Sequence, residues 1–343
     1  MSKRIVELSL LLLSGATAAM GQSGQRNSLV ERVGETGFVR VEAGSFNSLD
    51  AKQRELAYWL TQAAIAIDPI VYDQFSRFGL RQKRLLEGIV AHPKGIDAGV
   101  HSKITDFTKL FWANRGNHNE LTSQKFLPDF TFEELRQAAL TAQKSGAFST
   151  NSGDLPPITT PAELHAELEN LRDSLFEANF EPMLTAKNPS GGLDAIQASS
   201  NTFYVGVTVA DLKDFHDTHP LNSRVVRGKN GEVEEVVYRA GTPDGKIAPG
   251  LYATYLKRAN GYLAKAQQVA DPSQAKVIGD VGRYATTRQA ILATGCNSEL
   301  VGSRTTRSSI LSTDSSRFTG TPGEQRPVRK PSFASPTNRS RKR

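Results

Sequence analysis

The apolar pattern of this chain stops at Tyr284, and that break most constrains what the chain can fold into. Up to that residue, apolar side chains recur at helix or strand spacing. Residues 285–343 are rich in Ser, Thr, Arg, Pro and Gly, show almost no apolar periodicity and end in Asn-Arg-Ser-Arg-Lys-Arg. Because such a segment cannot bury a core, we predict a disordered tail at 285–343 and place the folded part at 22–284.

The charge of the chain divides at the same place. The tail holds 11 basic and 3 acidic residues, a net charge of +8, whereas residues 1–284 hold 31 basic and 32 acidic residues, a net charge of −1. A general attraction to phosphate is therefore not a property of the folded part, and we expect it to bind no nucleic acid. Nucleic-acid binding through the basic tail is a separate hypothesis, which predicts a salt-dependent affinity that is lost when the tail is deleted.

The first 21 residues have the pattern of a secretory signal peptide. A basic start is followed by an apolar stretch at 8–13 and by small residues, with cleavage expected after Ala18 or Gly21. We therefore predict a periplasmic or secreted protein. The alternative is a frayed N-terminus in the cytoplasm, which Glu7 favours because its charge separates Ile5 and Val6 from the apolar residues at 8–13. No other segment approaches the roughly 20 apolar residues that cross a bilayer, so we expect no transmembrane segment.

Several helices are predicted for the folded part. Helical spacing begins near Ser48, and Pro69 is expected to open a second, short helix that ends at Gly79. A long amphipathic helix is predicted over 252–269. Four further helix starts pair a capping residue with an acidic or amide side chain three positions later, and their capping residues are Thr131, Thr160, Thr208 and Asp271.

Strands are fewer. Alternating residues predict one strand over 38–46, and two β-rich runs at 222–226 and 232–238 predict a hairpin. Asn230 and Gly231 supply the positive φ angles that the hairpin turn requires. No alternation of strands and helices indicates a parallel sheet, so the sequence predicts a helix-rich α+β fold.

The sequence offers few groups for catalysis or metal binding. It has one cysteine, Cys296, which excludes an internal disulfide and a four-cysteine zinc site. It contains no His-Glu-x-x-His or longer variant, no Gly-x-Ser-x-Gly and no glycine-rich phosphate loop. His216 and His219 lie three apart among three aspartates, a spacing compatible with metal binding. Because Pro220 ends that turn and its face is polar, a solvated helix end is the favoured interpretation.

The densest group of polar residues lies at 111–128, preceded by a second polar stretch at 95–103. Many hydrogen-bonding side chains between apolar anchors predict a fixed loop that lines a cleft. The alternative is a structural loop whose amides satisfy its own backbone.

At these residues the chain resembles the dipeptidyl peptidase III family of zinc metallopeptidases, especially its bacterial members. The resemblance extends over 50–278 in the family's order and rests on four features: Arg115-Gly-Asn-His118 with Lys125-Phe-Leu-Pro128, Ser199-Ser-Asn201-Thr-Phe-Tyr204, Asn222-Ser-Arg224, and the helix through Leu256 to Val269. It implies a two-lobed enzyme that removes dipeptides from peptide N-termini, with a β-barrel-containing lower lobe and a helical, zinc-bearing upper lobe.

The chain resembles only the first portion of that lower lobe. The family's zinc helix, His-Glu-x-x-x-His or His-Glu-x-x-Gly-His, and its later Glu-Glu helix both lie beyond the resemblance, and the sequence contains neither zinc motif. Zinc is the cofactor of the full-length family, and we expect this chain to bind none and to have no catalytic residue. Near the lower wall of the family's cleft, the resemblance implies five candidate peptide-binding residues, which are Asn114, Asn117, His118, Lys125 and Phe126.

A frameshift would explain the composition of the tail at 285–343. A choice of codons for Leu311 to Glu324, read two bases later, spells Leu-Asn-Gly-Phe-Ile-Glu-Val-Tyr-Arg-Asp-Ala-Arg-Gly, which resembles the family's continuation. We therefore hypothesise a frameshift near residues 279–290. The leading interpretation is a truncated and inactive homologue of a zinc dipeptidyl peptidase, and the alternative is a non-catalytic peptide-binding or protein-interaction module.

Overall fold

The structure is a computed structural model that describes residues 28–189, 191–220 and 222–288. The predicted signal peptide, Cys296 and the tail from 289 onward lie outside the described residues. The chain divides into two compact units, Met1–Asn47 and Ser48–Arg343. The division of the chain into a signal, a lobe and a tail stays a prediction.

The described part of the first unit is a small hairpin. Strands β1 (Leu29–Val33) and β2 (Thr36–Val39) pair antiparallel, and Gly34 adopts a φ of +53° in the turn. A 3-10 turn follows at Gly44–Ser48. The predicted strand at 38–46 is therefore wrong beyond Val39. Val41 is 84% exposed, so no buried face stabilises the extended conformation that the alternating pattern favours.

The second unit is rich in helices. Its described residues form seven α-helices, which are α1 (Ala51–Phe75), α2 (Gly79–Ala91), α3 (Ala98–Asn114), α4 (Phe132–Lys144), α5 (Pro161–Phe176), α6 (Ala253–Val269) and α7 (Pro272–Thr287). The same residues form three strands, which are β3 (Tyr204–Val205), β4 (Ser223–Arg227) and β5 (Val233–Val237). Together with the small sheets, these helices confirm the predicted helix-rich α+β class. No helix among the described residues is long and apolar enough to cross a membrane.

Three of the four predicted helix starts are confirmed. Thr131, Thr160 and Asp271 each accept a hydrogen bond from the backbone three residues later, and the side chain at that position returns one. Thr208 does not start an α-helix. Its amide lies 2.8 Å from Asp211 Oδ2, and the contact closes only the 3-10 turn Ala210–Leu212, because no apolar periodicity follows to reward a longer helix.

The predicted helix break at Pro69 is wrong, because α1 continues through it. Proline removes the hydrogen bond to the carbonyl four residues earlier, which belongs to Ile65. Ile65 is 58% exposed, so water can replace the lost bond. Buried residues on either side of the proline, among them Ala66 and Ile70, hold the two halves of the helix against the rest of the unit.

The predicted hairpin is confirmed. β4 and β5 pair antiparallel from Ser223 opposite Val237 to Arg227 opposite Val233. Gly231 has the predicted positive φ, +85°, but the prediction of a positive φ at Asn230 is wrong. The two-residue strand β3 adds a short parallel pair with β4, which the sequence does not indicate because two residues carry no periodicity.

Two apolar clusters form the core of the second unit. The larger joins helices α2 to α5, and its fully buried members include Leu86, Ile89, Ile104, Phe111, Leu135, Leu164 and Leu171. The smaller joins α1, the segment after β5 and the start of α6, and consists of Ile70, Tyr238, Ala240, Tyr252, Tyr255 and Leu256. The candidate loop at 111–128 borders the larger cluster, and a buried polar group borders the smaller one.

Candidate functional site

The candidate loop begins where α3 ends. Arg115 adopts a left-handed φ of +53°, which terminates the helix at Asn114. The polar stretches at 95–103 and 111–114 are therefore mostly helical and are not the loop that their composition predicts. Asp97 caps the helix by accepting a hydrogen bond from Val100 N at 3.0 Å, and buried apolar residues at helical spacing hold it in place.

The two candidate asparagines hold the loop together. Asn114 Nδ2 donates to the Leu110 carbonyl at 2.9 Å, and its Oδ1 accepts from Glu120 N at 3.1 Å. Asn117 is 1% exposed, and its Nδ2 donates to the Ser174 carbonyl at 2.7 Å. Both amides are therefore used within the fold.

His118 is buried in the same loop. It is 3% exposed, and its Nε2 lies 2.8 Å from the carbonyl of Glu181. Because a carbonyl oxygen only accepts, Nε2 carries a proton and donates. Burial lowers the pKa of His118 to about 4, although the carbonyl opposes the shift. The imidazole is therefore neutral at physiological pH and has a structural hydrogen bond.

Lys125 lies opposite His118 in an antiparallel bridge. Its Nζ donates to the Glu177 carbonyl at 3.2 Å and also to the Phe180 carbonyl, and it lies 5.4 Å from the centroid of the Phe180 ring. Burial lowers the pKa of Lys125 to about 8, and the nearby carboxylates, Glu181 first, oppose that shift. The ammonium therefore ties the loop to the segment after α5.

Phe126 belongs to the apolar core. Its ring packs edge-on against Phe107, with 5.5 Å between centroids, at the border of the larger cluster. Its backbone N–H donates to the carbonyl of Asn117 at 2.9 Å. The structure thus places the five candidate residues at the end of α3 and in the loop that follows it. Most of their side-chain groups form contacts within the protein that hold the loop in its conformation. Their role in peptide binding stays a prediction.

A second layer of backbone pairing lies beneath the loop. Gln124 bridges Met183 antiparallel, and Met183 bridges Ser199 in parallel. Leu184 N donates to the Ser123 carbonyl at 2.7 Å, and Asn201 Nδ2 donates to the Leu184 carbonyl at 2.8 Å. The loop is therefore held by segments that follow it by about 60 and 80 residues in the chain.

Backbone strain is concentrated around the same loop. Six non-glycine residues of the described ranges have positive φ angles, and three of them are Arg115, Ser123 and Glu181. Burial also raises the pKa of the Glu181 carboxyl, against the attraction of Arg77 and Lys125. Strained backbone and shifted pKa values occur together at functional sites more often than elsewhere. Because positive φ angles and shifted pKa values occur together here, the loop remains a candidate site, although the side chains of its predicted residues contact the protein interior.

A largely buried polar node borders the smaller apolar cluster. We define it as the side chains of Asp73, Thr202, Arg224 and Tyr252. Arg224 Nη2 lies 2.8 Å from Asp73 Oδ2, 2.6 Å from Thr202 Oγ1 and 2.8 Å from the Tyr252 hydroxyl, which donates to Asp73 Oδ2 at 2.8 Å. Sequence reasoning names Arg224 and Thr202 in motifs but misses Asp73 and Tyr252, for which no local signal exists.

The histidine pair that could have bound metal does not form a ligand set. His219 lies beside Glu235, with Nδ1 3.4 Å from Oε2. Ser223 Oγ lies 2.7 Å from Glu235 Oε1 and 3.0 Å from the His219 carbonyl, so the serine is not paired with the imidazole as a nucleophile requires. Within 28–189, 191–220 and 222–288, no three His, Cys, Asp or Glu side chains come together as a metal site.

Replacing Asn117 with alanine is expected to lower the free energy of unfolding by about 2 kcal/mol, because it leaves the buried Ser174 carbonyl without its donor and opens a small void. Urea denaturation of the full chain measures this change. Asn119→Ala is the matched control: its Oδ1 accepts from Leu121 N and Thr122 N in an exposed turn, both at 2.9 Å, so we expect a smaller loss. Equal losses in the two variants would contradict the structural role of Asn117.

Comparison with known proteins gives matches among solved structures. No protein-family profile matches the sequence, and no curated protein matches it. Among solved structures, DPP III from Caldithrix abyssi is similar to it, with a TM-score of 0.36 and 15% sequence identity. The match covers 77% of this chain and 35% of that one. A TM-score of this size does not define a shared fold.

Proposed function

We propose that this chain is the N-terminal part of the lower lobe of a dipeptidyl peptidase III-type zinc peptidase and that it has no catalytic activity in this form. The proposal starts from the sequence motifs, which occur in the family's order over 50–278. One structural observation supports it: motifs that are far apart in the sequence lie next to one another in the fold.

The motifs form one hydrogen-bonded path. The loop with His118 and Lys125 pairs with the segment at 182–185, since Lys125 N donates to the Pro182 carbonyl at 3.0 Å. That segment pairs with the Ser199 motif, because Ser200 N donates to the Met183 carbonyl at 2.9 Å. The next residues of the Ser199 motif reach Arg224 through Thr202, and Arg224 reaches Tyr252 at the start of α6.

When the motifs of a family belong to one structural unit, they are expected to lie next to one another in space. A chance set of short matches has no reason to converge, since the first and last lie more than 100 residues apart in the sequence. The convergence therefore favours a common lobe over an accidental resemblance.

The residues of this chain do not fit the family's zinc. His118 donates its Nε2 proton to a backbone carbonyl. His219 lies beside a single carboxylate, that of Glu235, and neither histidine belongs to a group of three such ligands among the described residues. The sequence also contains no His-Glu pair followed by a second histidine at helical spacing. These residues therefore supply no zinc site of the family's kind.

The purified full chain, supplied with zinc, is expected to release no dipeptide from a dipeptidyl arylamide above the rate of a blank preparation. The physical reason is that peptide hydrolysis by this family's chemistry needs a metal-activated water and a general base, which the sequence does not supply. Release of dipeptide that is abolished by a chelator and restored by zinc would contradict the proposal.

The second candidate is a non-catalytic peptide-binding module, which the strained and fixed loop favours. At its tip Leu121 is 93% exposed, and the Asn119 side chain holds the turn by accepting from two backbone N–H groups. Because the backbone of this turn is already held in place, little conformational entropy is lost when the exposed Leu121 side chain binds a peptide. Titration calorimetry with tetra- and pentapeptides tests this candidate.

The variant for that experiment is Leu121→Ser, because substitution of the buried Asn117 or His118 would disturb the loop itself. Micromolar affinity that is lost in Leu121→Ser but kept in the remote variant Tyr58→Phe would favour the binding module. Heat signals equal to dilution for all peptides would remove it.

We further propose that the first 21 residues direct export. N-terminal sequencing of the protein recovered from the periplasm or the medium is expected to start at residue 19 or 22. A cytoplasmic protein that begins at its first residue would contradict this proposal.

A further inference from the structure

The outer edge of β5 is open over part of its length. Val225 of β4 lies opposite Glu235, and Val225 N donates to the Phe203 carbonyl on the other side of β4 at 2.9 Å. Because backbone groups alternate in direction along an antiparallel strand, the N–H and C=O groups of Glu235 and Val233 face away from β4. No backbone hydrogen bond from the described residues reaches these four groups.

The open part of the edge is bounded on one side. At the end of β5, Leu251 N donates to the Val237 carbonyl at 3.0 Å and covers that position. The opposite edge of the sheet is β3, which has only two residues. An open strand edge pairs readily with another extended segment, so the backbone at 233–235 is the place where the sheet can accept one.

The described chain ends beside this edge. After β5, Ala240 N donates to the Ala285 carbonyl in the last turns of α7 at 3.0 Å, and Arg288 Nε donates to the Tyr238 carbonyl. Five residues of strand separate Tyr238 from Val233, which is roughly 17 Å. The tail therefore leaves the described part of the chain close to the open edge.

Charge favours this tail over a second copy of the chain as the occupant. Glu232 and Glu234 are exposed beside the open edge, and neither carboxylate is paired with a cation of the described residues. The 55 residues from 289 onward hold 10 basic and 3 acidic residues, a net charge of +7. Two copies of β5 that paired with each other would bring like carboxylates together, which destabilises a strand pair.

We propose that the tail segment at 303–308 pairs with the open edge of β5 and forms hydrogen bonds with the outward backbone groups of Val233 and Glu235. This segment reads Ser-Arg-Thr-Thr-Arg-Ser. Its two arginines complement the exposed carboxylates, its threonines favour an extended conformation, and it has no proline to interrupt the pairing.

The connection to the folded part allows this pairing. Fifteen residues, 289–303, separate the segment from Arg288, and they span up to about 50 Å when extended. Because the segment is tethered near the edge, its effective concentration there is high. Pairing at an edge also requires no apolar core, which the tail cannot form. The inference is independent of the proposed function, since it holds whatever the origin of the tail.

Backbone amide hydrogen exchange in the full chain, followed residue by residue by NMR, tests the proposal. The amides of Val233 and Glu235 are expected to exchange at least about tenfold more slowly in the wild type than in the double variant Arg304→Glu/Arg307→Glu. The substitutions lie in the tail, so they replace attraction to the edge by repulsion without touching the sheet.

Two controls accompany this measurement. The double variant Arg341→Glu/Arg343→Glu makes the same change in net charge at the far end of the tail, and Val233 and Glu235 should exchange in it as in the wild type. The amides of Glu234 and Val236 face β4, so they should exchange slowly in all three proteins and report that the sheet is folded.

Four results would overturn the proposal. In the first, Val233 and Glu235 exchange in the wild type at the rate of unprotected amides. In the second, they are equally protected in the wild type and in Arg304→Glu/Arg307→Glu, so that another segment covers the edge. In the third, both double variants lose the protection, which would indicate an unspecific attraction of the tail. In the fourth, the protection rises with protein concentration, which would assign the edge to a second copy.

Discussion

Replacing Arg224 with alanine is expected to lower the free energy of unfolding by about 3 kcal/mol, the lower end of the range for breaking a buried ion pair. The Arg224 side chain is 15% exposed and that of Asp73 is 24% exposed. Without the guanidinium, the largely buried carboxylate of Asp73 keeps the hydrogen bond from Tyr252 but loses its cation. The hydroxyl groups of Thr202 and Tyr252 also lose a donor at 2.6 and 2.8 Å. Urea denaturation of the full chain measures the loss.

Two further variants are controls for this experiment. Arg136→Ala removes a pair with Glu133, whose side chain is 61% exposed, and we expect a much smaller loss because solvent screens exposed ion pairs. Arg224→Lys keeps the charge but cannot reach all three partners, so we expect partial recovery. If Arg224→Ala and Arg136→Ala lower the free energy of unfolding equally, the polar node does not hold its segments together.

Acidification is expected to remove about 3 kcal/mol of unfolding free energy through His118 alone. Burial lowers its pKa in the folded state to about 4 from the ordinary 6.5, and each pKa unit is worth about 1.4 kcal/mol. Between these values the unfolded chain binds a proton that the folded chain does not. The contribution is therefore fully present above pH 6.5 and is lost as the pH falls toward 4.

The variant His118→Gln isolates this effect. A glutamine can still donate to the Glu181 carbonyl but does not titrate, so the difference between wild type and variant should change by about 3 kcal/mol between pH 7 and pH 4. His165→Gln, at an exposed position of α5, should retain the wild-type pH profile. Parallel profiles for wild type and His118→Gln would mean that the imidazole is not buried as described.

Local rules predicted the parts of the fold that depend on near neighbours. The helix starts at Thr131, Thr160 and Asp271 could be predicted because a capping residue and its partner lie three positions apart. The Asn230-Gly231 turn of the hairpin is equally local. The break at Pro69 was wrongly predicted, because packing on both sides of the proline outweighs its propensity to end a helix.

The sequence predicted that the polar segment is a fixed loop, but it did not predict the contacts of that loop. The density of polar residues indicated a fixed loop, and the loop is fixed. Its partners lie far along the chain: Asn117 bonds to a carbonyl 57 residues later, and Arg224 bonds to Asp73 across 151 residues. Side-chain direction depends on those distant partners, so sequence pattern could not show that Phe126 faces the core.

The central claim is that this chain is the first part of a zinc peptidase whose continuation lies in another reading frame. The nucleotide sequence of the gene, translated in the other two frames from the codons for residues 279–290 onward, tests it most directly. The claim predicts one open frame that continues for several hundred codons and encodes a His-Glu-x-x-x-His or His-Glu-x-x-Gly-His helix, since that lobe must supply the zinc ligands. If both frames close within a few codons and encode no such helix, the basic tail is native to the protein and the claim is contradicted.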